Sequence, residues 1–432
     1  MSEWKKVKIG DIFSIEKGSL QSSKCTPGEY DFITAATDWK THNSYDHECE
    51  AIVYAVAASG SLGRAHYVNG KFIASDLCFI LTEKDKNQYP INFLFYQIVF
   101  EMLRDEIVSK TKTGTSKESI NRGNFSNYEI PYFPIEFQLA NYEKFVNAKN
   151  IIKNLLEESE KQKNYIKQLR QNILQEAIEG KLTADWRKQN PVQKGNPDYD
   201  AEALFEQIQK EKSQCKSEKL QEPLFFELLN IPQEWKYPTL FEITKQITDG
   251  THLTPNYVND GEVFLSAQNV KPFKFIPEIH KFVSKKDFDI YRNNRTPERN
   301  DILMARVGAG IGEAAVIDTD LQFAFYVSLS LIKPFSNYCD VNYLCLVLNS
   351  TYGTKYAKNN ISSNGSSAGN YNLGHIRSLK IPLPPLAEQR EIIARVREHL
   401  QTVSDLENQI TEREQLTKQL MQSILKDAFE EK

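Results

Sequence analysis

Several residue groups in this 432-residue chain are of types that carry chemistry, and their spacing limits what they can do. The run Val307-Gly308-Ala309-Gly310-Ile311-Gly312 has the glycine content of a phosphate-cradling loop. Such a loop must follow a strand and open a helix, so that helix N–H groups face the phosphates. Here the run follows ILMAR but leads into AAVIDTD, a second strand-like segment, which predicts a glycine hairpin turn. The Glu-x-Lys triplets at Glu179–Lys181 and Glu430–Lys432 fall at helix ends and are related by an internal repeat, so they make a poor nuclease centre. His42, His47, Cys49 and His66 match no standard metal-ligand spacing. No Asn-Pro-Pro-Tyr or Asp-Pro-Pro-Tyr tetrapeptide is present to hold a target amino group. These residues predict no catalytic site and no metal site in this chain.

Other groups suit contacts to nucleic acid. Lys110, Lys112, Thr113, Thr115, Ser116 and Lys117 lie in or beside KTKTGTSK. Ser363, Asn364, Ser366, Ser367 and Asn370 lie in SSNGSSAGN. Each loop ends just before a matched pair, Ile120-Asn121 or Tyr371-Asn372. Hydroxyls, amides and lysines with free backbone N–H groups fit phosphate and base-edge contacts, although the same composition also makes plain solvated loops. Thr251 and His252 in TDGTH, and Ser59, Ser61 and Arg64 in SGSLGR, are similar candidates. Arg306, just before the glycine turn, is a candidate for a guanine edge, with an interdomain ion pair as the alternative.

What positions these loops is a duplication. Asn121, Gly123, Ile130, Pro131, Pro134 and Gln138 recur without a gap at Asn372, Gly374, Ile381, Pro382, Pro385 and Gln389, an offset of 381 − 130 = 251. The offset continues from Lys167, Gln168 and Leu169 to Lys418, Gln419 and Leu420. A period this long exceeds any solenoid unit and implies two copies of a globular domain followed by a long helix. Apolar residues recur every seventh position in each helix. Ile152, Ile166 and Ile173 form one row with Leu155 and Leu169 beside it; Val403, Ile410 and Ile424 form the other with Leu406 and Leu420. That pattern predicts that the two helices pair as an antiparallel coiled coil. The expected fold is α+β: a mixed α/β domain over 1–139, a helix over 140–183, a linker with one short helix over 184–230, a second mixed domain over 231–386 and a second helix over 387–432. Within the first domain, Ala51–Ala58 and Phe72–Thr82 read as strands and Ile91 to Val108 as one helix.

The formal net charge of −4 argues against a protein that coats nucleic acid, but charge is unevenly placed. From Lys271 to Arg306 nine basic residues face five acidic ones, so the basic character sits in the globular parts. Six cysteines without CxxC spacing predict reduced thiols. The start MSEWKKVKIGD has no signal-peptide core, and no apolar run is long enough for a membrane span, so the expected location is the cytoplasm.

The order of IPQEW, TDGTHLTPNY, FLSAQNV, NDILMARVGAGIGEAAV and IPLPPLAEQREIIARV, with LRQNILQEAIEGKLTADWR in the first copy, resembles the DNA-specificity subunit of Type I restriction–modification systems over nearly the whole chain. The first copy departs from the pattern: IPYFPIEFQ is a degenerate IPLPPLAEQ, and no DGTH is present. The resemblance implies two target-recognition domains that read the halves of a bipartite, asymmetric site in double-stranded DNA, with the helices fixing the spacer. It also implies two modification (methyltransferase) subunits carrying AdoMet and restriction subunits using ATP and Mg, with no catalysis and no cofactor in this chain. Two other readings stay open: the specificity subunit of a system that cuts on both sides of its site, and a coiled-coil protein adaptor.

Overall fold

The repeat signature turns out to be made of caps and anchors. Asn121 caps the helix Arg122–Asn127 by accepting from Gly123 N at 2.9 Å, and Asn372 caps Leu373–Ser378 by accepting from Gly374 N at 2.7 Å. Gln138 and Gln389 are both fully buried and donate to Phe133 O (2.6 Å) and Pro384 O (3.0 Å), positions that are themselves 251 residues apart. Each glutamine also accepts a backbone N–H, from Asn92 at 2.6 Å or from Asp340 at 2.8 Å. Tyr96 and Tyr343 close the same joint by donating to Pro131 O and Pro382 O. Buried polar groups need partners, so these residues cannot drift freely while the surfaces around them do.

The computed structural model describes residues 5–58, 60–114, 118–215, 219–362 and 369–430. It divides into two units, Met1–Lys163 with Gln409–Lys432, and Asn164–Asn408. In the first unit one six-stranded sheet runs in the order Phe13–Lys17, Cys78–Glu83, His47–Ala55, Ala65–Ala74, Tyr30–Ile33, Lys40–His42. All neighbours are antiparallel except Tyr30–Ile33 beside Ala65–Ala74. Ala51 to Ala55 are all fully buried, as expected of a central strand covered on both faces. The run expected as one strand over Phe72–Thr82 is two, because Ser75–Leu77 turn the chain between them. The helix expected from Ile91 to Val108 is also two, Phe93–Met102 and Arg104–Thr111, with Leu103 out of helical geometry at the joint.

The second unit keeps the same four-strand nucleus, Thr244–Asp249, Leu329–Pro334, Ile302–Ala305 and Ala314–Val316. Four further strands form a separate sheet in which Glu262–Leu265 lies parallel to Ala324–Phe325, and two short hairpins pair Val270–Lys271 with Lys274–Phe275 and Ile361–Ser362 with Asn370–Tyr371. The glycine run closes the antiparallel hairpin between Ile302–Ala305 and Ala314–Val316, with Gly308 and Gly312 at φ of 82° and 88°. The segment read as a linker is docked against its own unit. Lys212 is buried, donates to Thr244 O at 2.7 Å and sits 3.6 Å from the Phe241 ring centroid.

The first long helix spans Ile135–Ile178, directly after Pro134, and ends where Gly180 takes a left-handed φ of 69° and Lys181 N bonds back to Glu176 O. The second spans Leu386–Glu430. Ile152, Ile166, Ile173, Val403 and Ile410 are buried, and so are Ser159 and Thr417 in the same rows. Both hydroxyls donate to their own helix, at Leu155 O and Arg413 O. In the first unit Lys163 pairs with Glu414 at 2.8 Å and Gln162 with Arg413; in the second Arg170 pairs with Glu407 at 2.7 Å. Five of the expected pairing residues lie outside these buried rows. Leu155, Leu169, Leu406 and Leu420 are 37–44% exposed, because a position three residues on is turned by about 60° from the buried row. Ile424 is part-buried against the first-domain core rather than in a helix row. No helix among the described residues is long and apolar enough to cross a membrane.

Candidate nucleic-acid interface

Backbone hydrogen bonds bring four loops to one end of the four-strand nucleus in each copy. In the second domain Gly250 N donates to Leu329 O, Arg306 N to Ser328 O and Tyr371 N to Arg306 O. In the first domain Gly18 N donates to Cys78 O, Val56 N to Leu77 O and Ile120 N to Val56 O. The same ladder is built twice, so 18–24 corresponds to 250–254, the turn after Val56 to the turn after Arg306, the turn Ser75–Leu77 to Tyr326–Ser328, and the hairpin ending at Ile120 to the one ending at Tyr371. Gly18 and Gly250 are needed at their positions, since a Cβ would lie 2.1 Å from Ser75 O or 2.3 Å from Phe325 O. Ser19 N and Thr251 N then bond to Ala74 O and Phe325 O, again 251 residues apart.

The first domain therefore has a counterpart to the TDGTH loop that sequence inspection missed. Gly18-Ser19-Leu20-Gln21-Ser22-Ser23-Lys24 presents Gln21, Ser22, Ser23 and Lys24 to solvent, and Ser19 Oγ donates to Asp46 at 2.6 Å. Only a single glycine survives from the second-copy motif, and one glycine is too weak a signal to find in sequence. The strand that precedes it was the available clue.

The sequence candidates fall into several groups. Lys110 is exposed; Lys112 and Thr113 form the first arm of a two-residue hairpin paired with Ser119–Ile120. Lys112 pairs with Glu118 at 2.7 Å, and Thr113 Oγ1 donates to Ser119 O. Thr115, Ser116, Lys117, Ser59, Ser363, Asn364, Ser366 and Ser367 lie outside the described residues. Asn370 is exposed on the strand paired with Ile361–Ser362, so the strands that flank the two polar segments pair at equivalent places in the two copies.

Ser61 and Arg64 belong to a turn that is stapled rather than open. Arg64 donates to Ala35 O and Ser61 Oγ, while Arg104 donates to Leu62 O and Gly60 O. Thr251 is buried, whereas the His252 side chain is 69% exposed with Nε2 3.0 Å from Asp249 Oδ2.

Arg306 departs most from expectation. It is 4% exposed, and its guanidinium donates to Asp249 Oδ2 (2.6 Å), Tyr371 O (2.9 Å) and Val327 O (3.3 Å). A guanidinium committed to these acceptors is not presented to a guanine edge, and the ion pair it makes lies within one domain. Burial pulls its pKa below the ordinary arginine value, opposed by the Asp249 carboxylate, and it stays cationic at any ordinary pH.

The three histidines considered for metal binding have other partners. His42 accepts from Thr26 N, His66 from Trp39 Nε1, and His47 contacts Asp46 and Glu16. Among the described residues no three His, Cys, Asp or Glu side chains are grouped to hold a metal.

Comparison with known proteins gives these loops a context. The Type I restriction modification DNA specificity domain family model matches residues 1–168 and again 232–416. The EcoDI specificity subunit of a Type I restriction enzyme from Escherichia coli is 21% identical over 440 residues, covering 99% of this chain and 88% of that protein. The EcoBI specificity subunit from Escherichia coli is 27% identical over 172 residues, 40% of this chain and 33% of that one. A solved chain from work on complex assembly and conformational transition of the type I R-M system aligns over 99% of this chain and 98% of its own, with 16% identity and a TM-score of 0.61, which shows a shared fold. Two family domains in one chain, each carrying the same four-loop end, make this protein a member of the Type I restriction–modification DNA-specificity family.

Proposed function

We propose that this chain is the address-reading subunit of its restriction–modification complex. Each domain reads one half of a bipartite, asymmetric site in double-stranded DNA through its four-loop end. The observation that carries this reading is the duplicated loop platform bearing different side chains in each copy. Equivalent four-strand nuclei fix where the loops stand; unlike residues, such as Gln21 and Lys24 against His252 and Leu253, give two different readouts.

The long helices set the unread spacer. At 44 and 45 residues they are each about 65 Å long, close to two turns of duplex at roughly 34 Å per turn. Their mutual packing as an antiparallel coiled coil is supported by the seven-residue buried rows and the cross-helix pairs within each unit. The exposed Leu155, Leu169, Leu406 and Leu420 support docking of methyltransferase subunits on the remaining helix surface, since apolar stripes on paired helices are otherwise unfavourable. Restriction subunits join that assembly. AdoMet belongs to the methyltransferase subunits, ATP and Mg to the restriction subunits, and the chain itself performs no chemistry.

Mapping methylated bases in host DNA with and without this gene tests the proposal. Methylation at one two-part motif, lost on deletion, is the expected result. An unchanged methylation map in a strain with intact methyltransferase genes, or a motif with a single half, refutes it.

A further inference from the structure

The buried cation of the second domain ties together three of the segments that form its loop end. Arg306 reaches Asp249 at the root of the 250–254 loop, Val327 O in the turn beyond Phe325, and Tyr371 O at the base of the last hairpin. Asp249 in turn accepts from His252, the exposed side chain of that loop. Removing the guanidinium leaves a nearly buried carboxylate and two carbonyl groups short of a donor.

The first domain builds the same corner without any such tie. Its backbone ladder puts Val56 where the second domain has Arg306, and Lys17 where it has Asp249, since Val56 O accepts from Ile120 N as Arg306 O accepts from Tyr371 N. Val56 is buried in the first-domain core and Lys17 is exposed. At these two positions the first domain thus has apolar packing and an exposed lysine where the second has a charged tie between loops, while its Arg64 and Arg104 staple the turn after Val56 alone.

We propose that Arg306, through Asp249 and Tyr371, is a positioning residue for recognition of the second domain's half-site alone, holding the His252 loop and the Asn370–Tyr371 strand in one arrangement against DNA. This rests on the reading that each domain recognises half of a bipartite site.

The experiment uses the full chain assembled with its methyltransferase subunits and a library of DNA duplexes randomised over both halves, from which bound duplexes are sequenced. Two variants are compared with wild type: Arg306→Lys, which keeps the charge but not the planar fork, and Asp249→Asn, a milder change that keeps an oxygen acceptor. Discrimination is expected to fall about tenfold or more at several neighbouring positions of one half-site, the scale of a lost base preference, and to stay unchanged at the other. The dependence of affinity on salt is expected to keep its slope, because no phosphate contact is removed. Hydrogen exchange in the Ile302–Ala305 strand, unchanged from wild type, separates mispositioned loops from an unfolded domain.

A sharp second half-site in both variants overturns the proposal. So does loss at a single base position together with a shallower salt slope, which marks direct contact. If wild type itself selects no two-part site, the parent reading falls; if it does and the variants match it, only this inference falls.

Discussion

Removing the carboxylate of Glu388 should loosen the junction where the first long helix ends and the second begins. Glu388 is 1% exposed and accepts from Thr183 Oγ1 at 2.6 Å, Trp235 Nε1 at 2.8 Å and the Arg187 guanidinium. All three donors come from outside its own helix, so one side chain fastens the chain after Gly180 and the opening of the second domain to the helix start. Taking away one partner of a buried ion pair costs about 3–5 kcal/mol, because the other charge remains. Arg187 keeps bonds to Gly180 O at 2.6 Å and Thr183 Oγ1 at 3.1 Å, which places Glu388→Ala near the lower figure, about 3 kcal/mol. Glu388→Gln keeps one acceptor but turns an amide N–H toward a donor, and should cost about 1–3 kcal/mol. Hydrogen exchange by mass spectrometry on the full chain measures this locally. Peptides around 181–188, 232–240 and 386–392 should exchange roughly a hundredfold faster in the Ala variant, if they open by this junction. Strands His47–Ala55 and Cys78–Glu83, in the other unit, are the internal control and should not change. Exchange within about threefold of wild type in Glu388→Ala, or a larger effect for Gln than for Ala, would refute the clasp.

Three further outcomes are expected. Four residues inserted after Gln162 and after Arg413, which are matched by the 251-residue offset, add about 6 Å to each helix, nearly two base pairs at 3.4 Å each, and methylation mapping should find a longer spacer. An unchanged spacer would show that the helices do not measure it. Lys112→Ala should weaken binding to all sequences and lower the salt slope by about one, since its exposed pairing with Glu118 holds it only weakly and a phosphate can take over. A fixed slope with one altered base preference would contradict the phosphate role. His47 is desolvated, which lowers its pKa, but hydrogen bonds to Asp46 and Glu16 outweigh this and raise it above the ordinary 6.5. The folded state thus holds the proton more tightly than the unfolded chain. Its stabilisation is complete below pH 6.5 and is lost as pH rises through the raised value, by no more than about 1 kcal/mol at this partly exposed site. An NMR titration of His47, with His47→Gln flattening the pH dependence of the urea midpoint, checks the sign.

The sequence by itself determined the duplication, the two long helices and the caps that join them. Those features follow from local rules: prolines at 131, 134, 382 and 385 forbid helix before the long helices start, and Asn121 and Asn372 cap the short helices beside them. The seven-residue rows were equally legible, because periodicity is a property of the chain alone. Which side of each helix is buried was not. Leu155 and Leu169 fit a seam as well as Ile152 and Ile166 do, and only the packing of neighbours chose between them. The recognition end was legible as composition but not as construction. Gly18 and Gly250 correspond because the same carbonyl ladder receives them, a relation that residue identity at 19 and 251 does not record. Arg306 shows the limit most clearly. A cation before a polar turn in a basic stretch looks like a contact to DNA, yet the tertiary structure places Asp249, Val327 and Tyr371 around it. A buried charge must find its partners inside the protein, and partners that lie 57 and 65 residues away in the chain are brought to it only by the fold.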